Sequence, residues 1–282
     1  GELFAFDADM EYDIGSPWYR PTRVNHVVSG VDWGWRNGSG KWPTYFTDTL
    51  PPVVDIGPGS PTGVSNGLGA NFPAKYQKAI FINDWTYGTM YAVHVEKDGA
   101  SYSGTFEEFV SGKPLPLTDL VINPVDGNMY FMVGGRRTTS GLYRLSYEGK
   151  ESTAPAQAGA ANPLAALRRQ LETLHEDRVG PEAVGEALSS IGHADRFVRY
   201  AARVALEKQP IDLWVGRLKA ATNPWEIIEL STAAARLGNA DHQAGALAAL
   251  NRLPYAKIST DQLLAALRSY QLVYARHGRV AP

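Results

Sequence analysis

The side chains best suited to chemistry stand near the start of the chain, in Asp7-Ala-Asp-Met-Glu-Tyr-Asp13. Asp7, Asp9, Glu11 and Asp13 alternate with other residues, so an extended strand would turn all four carboxylates to one face. Like charges in such a row repel and call for a cation. A Ca²⁺ ion with oxygen ligands would serve, with Asp7, Asp9 and Glu11 as its candidate ligands. A guanidinium from Arg20, Arg23 or Arg36 would serve equally, and a solvated loop at a strand end is the third arrangement the pattern allows.

Two further groups carry chemistry. In Asn83-Asp-Trp-Thr-Tyr-Gly88, between two apolar runs, Asp84, Trp85 and Tyr87 are candidates to line a pocket, the aromatic rings stacking on a flat ligand. The same rings would also suit packing between neighbouring sheets. In Gly134-Gly-Arg-Arg-Thr-Thr-Ser-Gly141, Arg136 or Arg137 could clamp a carboxylate or phosphate with two parallel hydrogen bonds, the alternative being a polar hairpin loop. No Gly-Lys-Ser/Thr follows, which excludes a phosphate loop. The histidines, His26, His94, His175, His193, His242 and His277, show no metal-ligand spacing. Arg23 joins the candidates for holding an acidic ligand or cofactor.

These residues need elements to position them. Residues 1 to 149 are rich in Gly, Pro, Trp and Tyr, with strand-like runs at Lys78–Asn83, Thr89–Val95, Leu120–Ile122 and Asn128–Val133. Asp98-Gly99 and Asp126-Gly127 mark tight turns between them. The rhythm predicts an all-β architecture: a sandwich, barrel or propeller. Residues 150 to 163 are small and polar and read as a linker. From 164 to 282 the composition shifts to Ala, Leu and Arg at helical spacing, as in Leu164, Leu167, Leu171 and Leu174. Asp195-Arg-Phe-Val-Arg-Tyr-Ala-Ala-Arg-Val-Ala-Leu206 is similar to the second helix of a HEAT repeat, which predicts helical pairs stacked as a solenoid.

Bulk properties narrow the classes. The chain has 282 residues, 44% hydrophobic and 20% charged, with a formal net charge of −2, which gives no basic face for nucleic acid. It has no cysteine, so disulfides, thiolate metal sites, Cys nucleophiles and covalently attached haem are excluded within it. No apolar run is long enough to span a membrane and no signal peptide is visible. The sequence opens at Gly1 directly in a strand-like run, from which further chain is expected upstream.

Val24-Asn-His-Val-Val-Ser-Gly-Val-Asp-Trp-Gly-Trp35 resembles a segment of the soluble glucose and sorbosone dehydrogenases, and the strand order from Ala79 to Tyr147 is similar to their last blades. Propeller, linker and HEAT-like helices in this order look like the exported bacterial membrane-bound dehydrogenase domain proteins. The resemblance implies a partial propeller of the six-bladed type over 1–149, about three blades at roughly 40 to 45 residues each. It implies sugar or alcohol oxidation with pyrroloquinoline quinone and Ca²⁺, a catalytic His outside this segment, electron transfer to a c-type cytochrome module, and a periplasmic or cell-surface location. The chain departs from that family at Thr22-Arg23, Thr86 and Leu115-Pro-Leu-Thr118, where groups that hold the quinone or the Ca²⁺ would stand. The expectation is therefore a segment of a sugar or alcohol oxidoreductase. The alternative is a non-catalytic binding or scaffold module for carbohydrate or protein, with a protein partner on the helical repeats.

Overall fold

The structure is a computed structural model and describes residues 1–36, 40–157, 159–176 and 179–278. Ala79-Ile-Phe-Ile82 is apolar at every position, the mark of a strand covered on both faces. That strand lies at the heart of the β half. In chain order the strands are β1 (Leu3–Asp7), β2 (Thr22–Val27), β3 (Trp35–Arg36), β4 (Gly40–Lys41), β5 (Val54–Gly57), β6 (Pro61–Asn66) and β7 (Ile80–Asp84). They continue as β8 (Thr89–Asp98), β9 (Ser101–Ser111), β10 (Leu117–Ile122), β11 (Met129–Gly135) and β12 (Thr138–Leu145). Among the described residues they form antiparallel sheets ordered β1-β2-β5, β6-β7-β8-β9 and β10-β11-β12, with β3-β4 a separate ribbon.

The period of two along β7 and β8 decides how these sheets stack. Ile80, Ile82 and Val93 pack with Val24 of β2 and with Val53, just ahead of β5. Their alternate neighbours Phe81, Met90 and Ala92 pack with Leu117, Leu120, Met129 and Phe131 of the third sheet. The middle sheet is thus covered on both faces, and β6 lies beside β1 on one side and β10 on the other. The far face of the third sheet leaves Val121, Met132 and Leu142 exposed.

The short helix α1 (Ala74–Gln77) lies within the β half; the longer helices all follow it. They are α2 (Pro163–Glu172), α3 (Pro181–Ser190), α4 (Arg196–Glu207), α5 (Pro224–Leu237), α6 (Ala240–Leu250) and α7 (Thr260–His277). Side chains satisfy the free N–H groups at several starts: Asn162 caps α2, Asp195 caps α4, Asn223 caps α5 and Ser259 forms a capping box with Gln262 on α7. Their apolar faces share one core that includes Leu171, Val198, Trp214, Ile228, Leu250 and Val273.

The two halves meet over polar and charged contacts around an apolar patch in which Val28 and Leu50 pack with Tyr200 and Val204. The β8–β9 turn docks on the helices: Asp195 accepts from Ala100 N (2.9 Å), Arg168 Nε donates to Ala100 O (3.0 Å) and Asn162 Nδ2 donates to Gly99 O (2.8 Å). Arg168 also grips both carboxylate oxygens of Glu2, at 3.0 and 2.9 Å. Arg268 of α7 pairs with Asp48 through two 2.8 Å bonds, and Tyr200 OH bridges Gly30 O and Asp32 N. Described residues between β12 and α2 form no helix or strand, but Gln77 pins the segment by donating to Thr153 O and Ala154 O and accepting from Ala156 N.

One expectation needs correction. The acidic run is not an extended strand. β1 ends at Asp7, opposite Arg23, and residues 11–13 form a 3₁₀ turn. Beyond Asp7 no partner backbone continues the ladder, because the chain must turn back to enter β2 at Thr22. The Gly134–Gly141 stretch is the polar hairpin the sequence allowed, joining β11 to β12. Gly135 pairs with Thr138, and only Arg136 and Arg137 turn, the latter at φ +62°.

Candidate functional site

The end of β7 must reverse within a few residues to start β8 at Thr89. Gly88 makes this possible with φ +67°, and a Cβ there would lie 2.6 Å from Gly112 O. Asp84 organises the turn. Its Oδ1 accepts from Ser60 N (2.7 Å) and Thr86 N (3.1 Å), and its Oδ2 from Tyr87 N (3.1 Å). At 2% exposure its carboxylate is turned toward backbone N–H groups and lines neither of the clefts described next.

The turn that Asp84 holds presents Trp85 and Tyr87 at the surface, 37% and 47% exposed. Trp85 Nε1 donates to Gly134 O at 2.8 Å, and its ring lies so close to Gly135 that a Cβ there would be 2.8 Å from Cζ2. Trp85 therefore ties the middle sheet to the β11–β12 hairpin and forms a wall. Two clefts flank Tyr87. The smaller, about 390 Å³, is lined by Trp85, Tyr87, Lys113, Leu115, Pro116 and Arg136 among others. The larger, about 570 Å³, is lined by Tyr87, Tyr91, Glu108 and Lys113 together with residues 56–58. Tertiary structure thus gathers Trp85, Tyr87 and Arg136 into one cleft.

Asp9 reaches this neighbourhood indirectly. It is 4% exposed and accepts a 2.6 Å hydrogen bond from Tyr19 OH. Burial, then the Asp9 carboxylate, pushes the Tyr19 phenol far above its ordinary value, and nearby Tyr87 adds to the effect. The other candidates stand apart. Asp7 pairs with Arg23 (3.3 Å), whose Nη2 donates to Trp33 O at 2.6 Å. Burial holds the Arg23 guanidinium below its usual value, with Asp7 and Asp55 opposing. Arg23 is 1% exposed and lines neither cleft. Arg36 pairs with Asp32 at 2.7 Å, and Arg20 donates to Tyr19 O. Glu11 is exposed on its 3₁₀ turn. Among the described residues no group of three or more His, Asp or Glu side chains is placed to hold a metal ion.

No family model matches the chain, and no curated protein matches it. Among solved structures it is similar to an oxidoreductase of Thermus thermophilus, provisionally assigned as a glucose dehydrogenase. Identity is 16%, coverage 51% of this chain and 41% of that one, and the TM-score 0.39. The chain therefore spans less than half the length of that protein, and a likeness this loose carries no argument about chemistry.

Sequence reasoning passed over Tyr19, Tyr91, Glu108 and Lys113, all of which border the Tyr87 turn or its clefts. Lys113-Pro-Leu-Pro116 carried a signal in its paired prolines, which mark a loop between strands. Nothing local marks Tyr91 or Tyr19. His26 is engaged elsewhere: 1% exposed, it bonds Ser101 Oγ and Glu2 Oε2, each at 2.9 Å, inside a cage with Phe4, Tyr102 and Phe197. No helix among the described residues is long and apolar enough to cross a membrane.

Proposed function

We propose that the chain is a segment of a β-propeller-type oxidoreductase acting on a sugar or alcohol, with the clefts around Tyr87 as its ligand-binding face. The observation that carries this reading is the convergence of Trp85, Tyr87, Lys113 and Arg136 on one cleft. Aromatic faces stack on the apolar face of a sugar ring, while cations and Glu108 at the adjoining cleft offer hydrogen bonds to hydroxyls. The face-to-face succession of sheets, with β1, β6 and β10 side by side, supports a propeller, and the packed helices that follow support a HEAT-like solenoid.

The donor set does not suit Ca²⁺ at the acidic segment: Asp7 is paired with Arg23, Asp9 with Tyr19, and Glu11 stands on a separate turn. An acidic quinone would meet Lys113 and Arg136 in the smaller cleft, where it would supply the electron-accepting chemistry. The protein's own part is to bind and orient. Transfer to a cytochrome module outside this chain, and export from the cytoplasm, belong to the same proposal.

A second reading is a carbohydrate- or protein-binding module without catalysis. The saturation of Asp84 by three backbone N–H groups favours it, because that carboxylate is then committed to structure. Calorimetry of the full chain against a panel of sugars and alcohols tests the site, with Tyr87→Ala as control. Saturable binding that Tyr87→Ala abolishes supports it; absence of binding across the panel refutes it. Dye reduction with added quinone and Ca²⁺ then separates the readings, since binding without reduction would leave the module.

A further inference from the structure

A third cleft, of about 530 Å³, lies between the segment 44–51 of the β half and helices α4, α5 and α7. Tyr45 and Thr47 line it from one side, and Arg196, Arg199, Trp225 and Asp261 from the other. We propose that this cleft binds a small ligand carrying an oxyanion, a carboxylate or phosphate group, on a flat apolar body.

The argument begins with the two guanidiniums. Arg199 is 5% exposed and lies 3.6 Å over the Trp225 ring. Its Nη1 donates to the carbonyls of Ala194 (2.8 Å) and His193 (3.3 Å). Its Nε makes no hydrogen bond among the described residues, and Glu229 Oε1 stands 3.4 Å away. Arg196 Nη2 donates to Phe46 O (2.7 Å) and Thr49 O (2.9 Å). Carbonyls orient Arg196 without neutralising it, whereas Arg199 is also paired with Glu229.

The available carboxylates are largely spoken for. Glu229, 1% exposed, is shared with Arg203 at 3.1 Å and accepts from Thr47 Oγ1 at 2.6 Å. Asp195 caps α4 through Val198 N and holds Ala100 N. Asp261 stands exposed at the rim, in the first turn of α7. Two cations therefore line the cleft, with Glu229 shared between Arg199 and Arg203 behind them and Asp261 at the rim. Burial lowers both guanidiniums, Arg196 to about 10, and Arg199's charge pushes Arg196 the same way, with Glu229 and Asp261 opposing. An oxyanion between them would relieve that repulsion. Trp225 and the half-exposed Tyr45 supply flat surfaces for the body of the ligand.

The test is calorimetry on the full chain at constant ionic strength, with inorganic phosphate and benzoate as separate probes. Saturable binding of either is expected, and the better probe names the anion. Arg196→Gln should weaken that binding about tenfold, as loss of a charge-assisted contact does. Asp261→Asn should tighten it about threefold by removing the facing charge. Because Asp261 is exposed, its variant decides the question even if Arg196→Gln does not fold. Failure of both probes to saturate overturns the proposal, as does an affinity that Asp261→Asn leaves unchanged.

Discussion

Replacement of Asp48 by Ala should loosen the junction between the two halves. Asp48 sits 220 residues from Arg268 in sequence and accepts from its Nε and Nη2, both at 2.8 Å. The Asp48 side chain is fully buried, and the Arg268 side chain is 5% exposed. The guanidinium lies 4.1 Å from the ring centres of both Trp42 and Phe46, so water has little access to it. Without Asp48 that charge stays buried and unpaired, apart from the side-chain carbonyl of Gln271, whose Oε1 accepts from Nη1. Breaking such a pair costs about 3–5 kcal/mol, which at about 2–4 °C per kcal/mol lowers the melting temperature by about 6–20 °C. Arg268→Met should cost a similar amount, and Asp48→Leu with Arg268→Met should recover most of the loss, because both buried charges of the pair are then gone and Arg236, 3.9 Å from Asp48, keeps Glu207. Urea denaturation followed by circular dichroism and by tryptophan fluorescence supplies the energies. The two probes should separate in Asp48→Ala if the halves come apart first. A loss below about 1 kcal/mol, the value of an exposed pair, would refute the reasoning.

Gly99 turns the β8–β9 hairpin at φ +55°, and an added Cβ would fall 1.9 Å from Asp195 Oδ2. Gly99→Ala should therefore lower stability by more than the roughly 1 kcal/mol of left-handed strain alone, measurable as a drop in urea midpoint, whereas Gly57→Ala, with open space around it, should show the strain alone. Burial, first of the causes, holds His26 below its ordinary 6.5, with Glu2 opposing and Arg168 reinforcing; His175 is lowered by burial as well. The unfolded chain then binds more protons just below pH 6.5, so stability should fall as pH drops through that range while the carboxylates stay ionised. Urea midpoints between about pH 8 and 5 report it, and His26→Gln should flatten part of the slope; a level profile would contradict the burial argument.

Much of the β half was legible because its signals are local. The unbroken apolar run at Ala79–Ile82 and the apolar pattern from Thr89 to Val95 announce strands, and Asp98-Gly99 announces the turn between β8 and β9. Asp195 stands first in the run that resembles a HEAT-repeat helix, and it caps α4 through Val198 N. The acidic run misled because alternation sets which face a residue would take, whereas the length of a strand is set by its partner, and β1 runs out of partner at Asp7. Trp85, Tyr87 and Arg136 could be chosen one by one, but their meeting depends on how the middle sheet packs against the third, through the bond from Trp85 to Gly134. The pairing of Asp48 with Arg268, and of Arg199 and Arg203 with Glu229, had no signature at all. Sequence alone determined several strands, the Asp-Gly turns and the helical character of the C-terminal half, because hydrophobic period and turn chemistry act over a few residues. Which charges are buried together, and which rings face a common cleft, was decided only by the path of the whole chain, because a Coulomb or packing contact depends on distance in space and not on separation along the backbone.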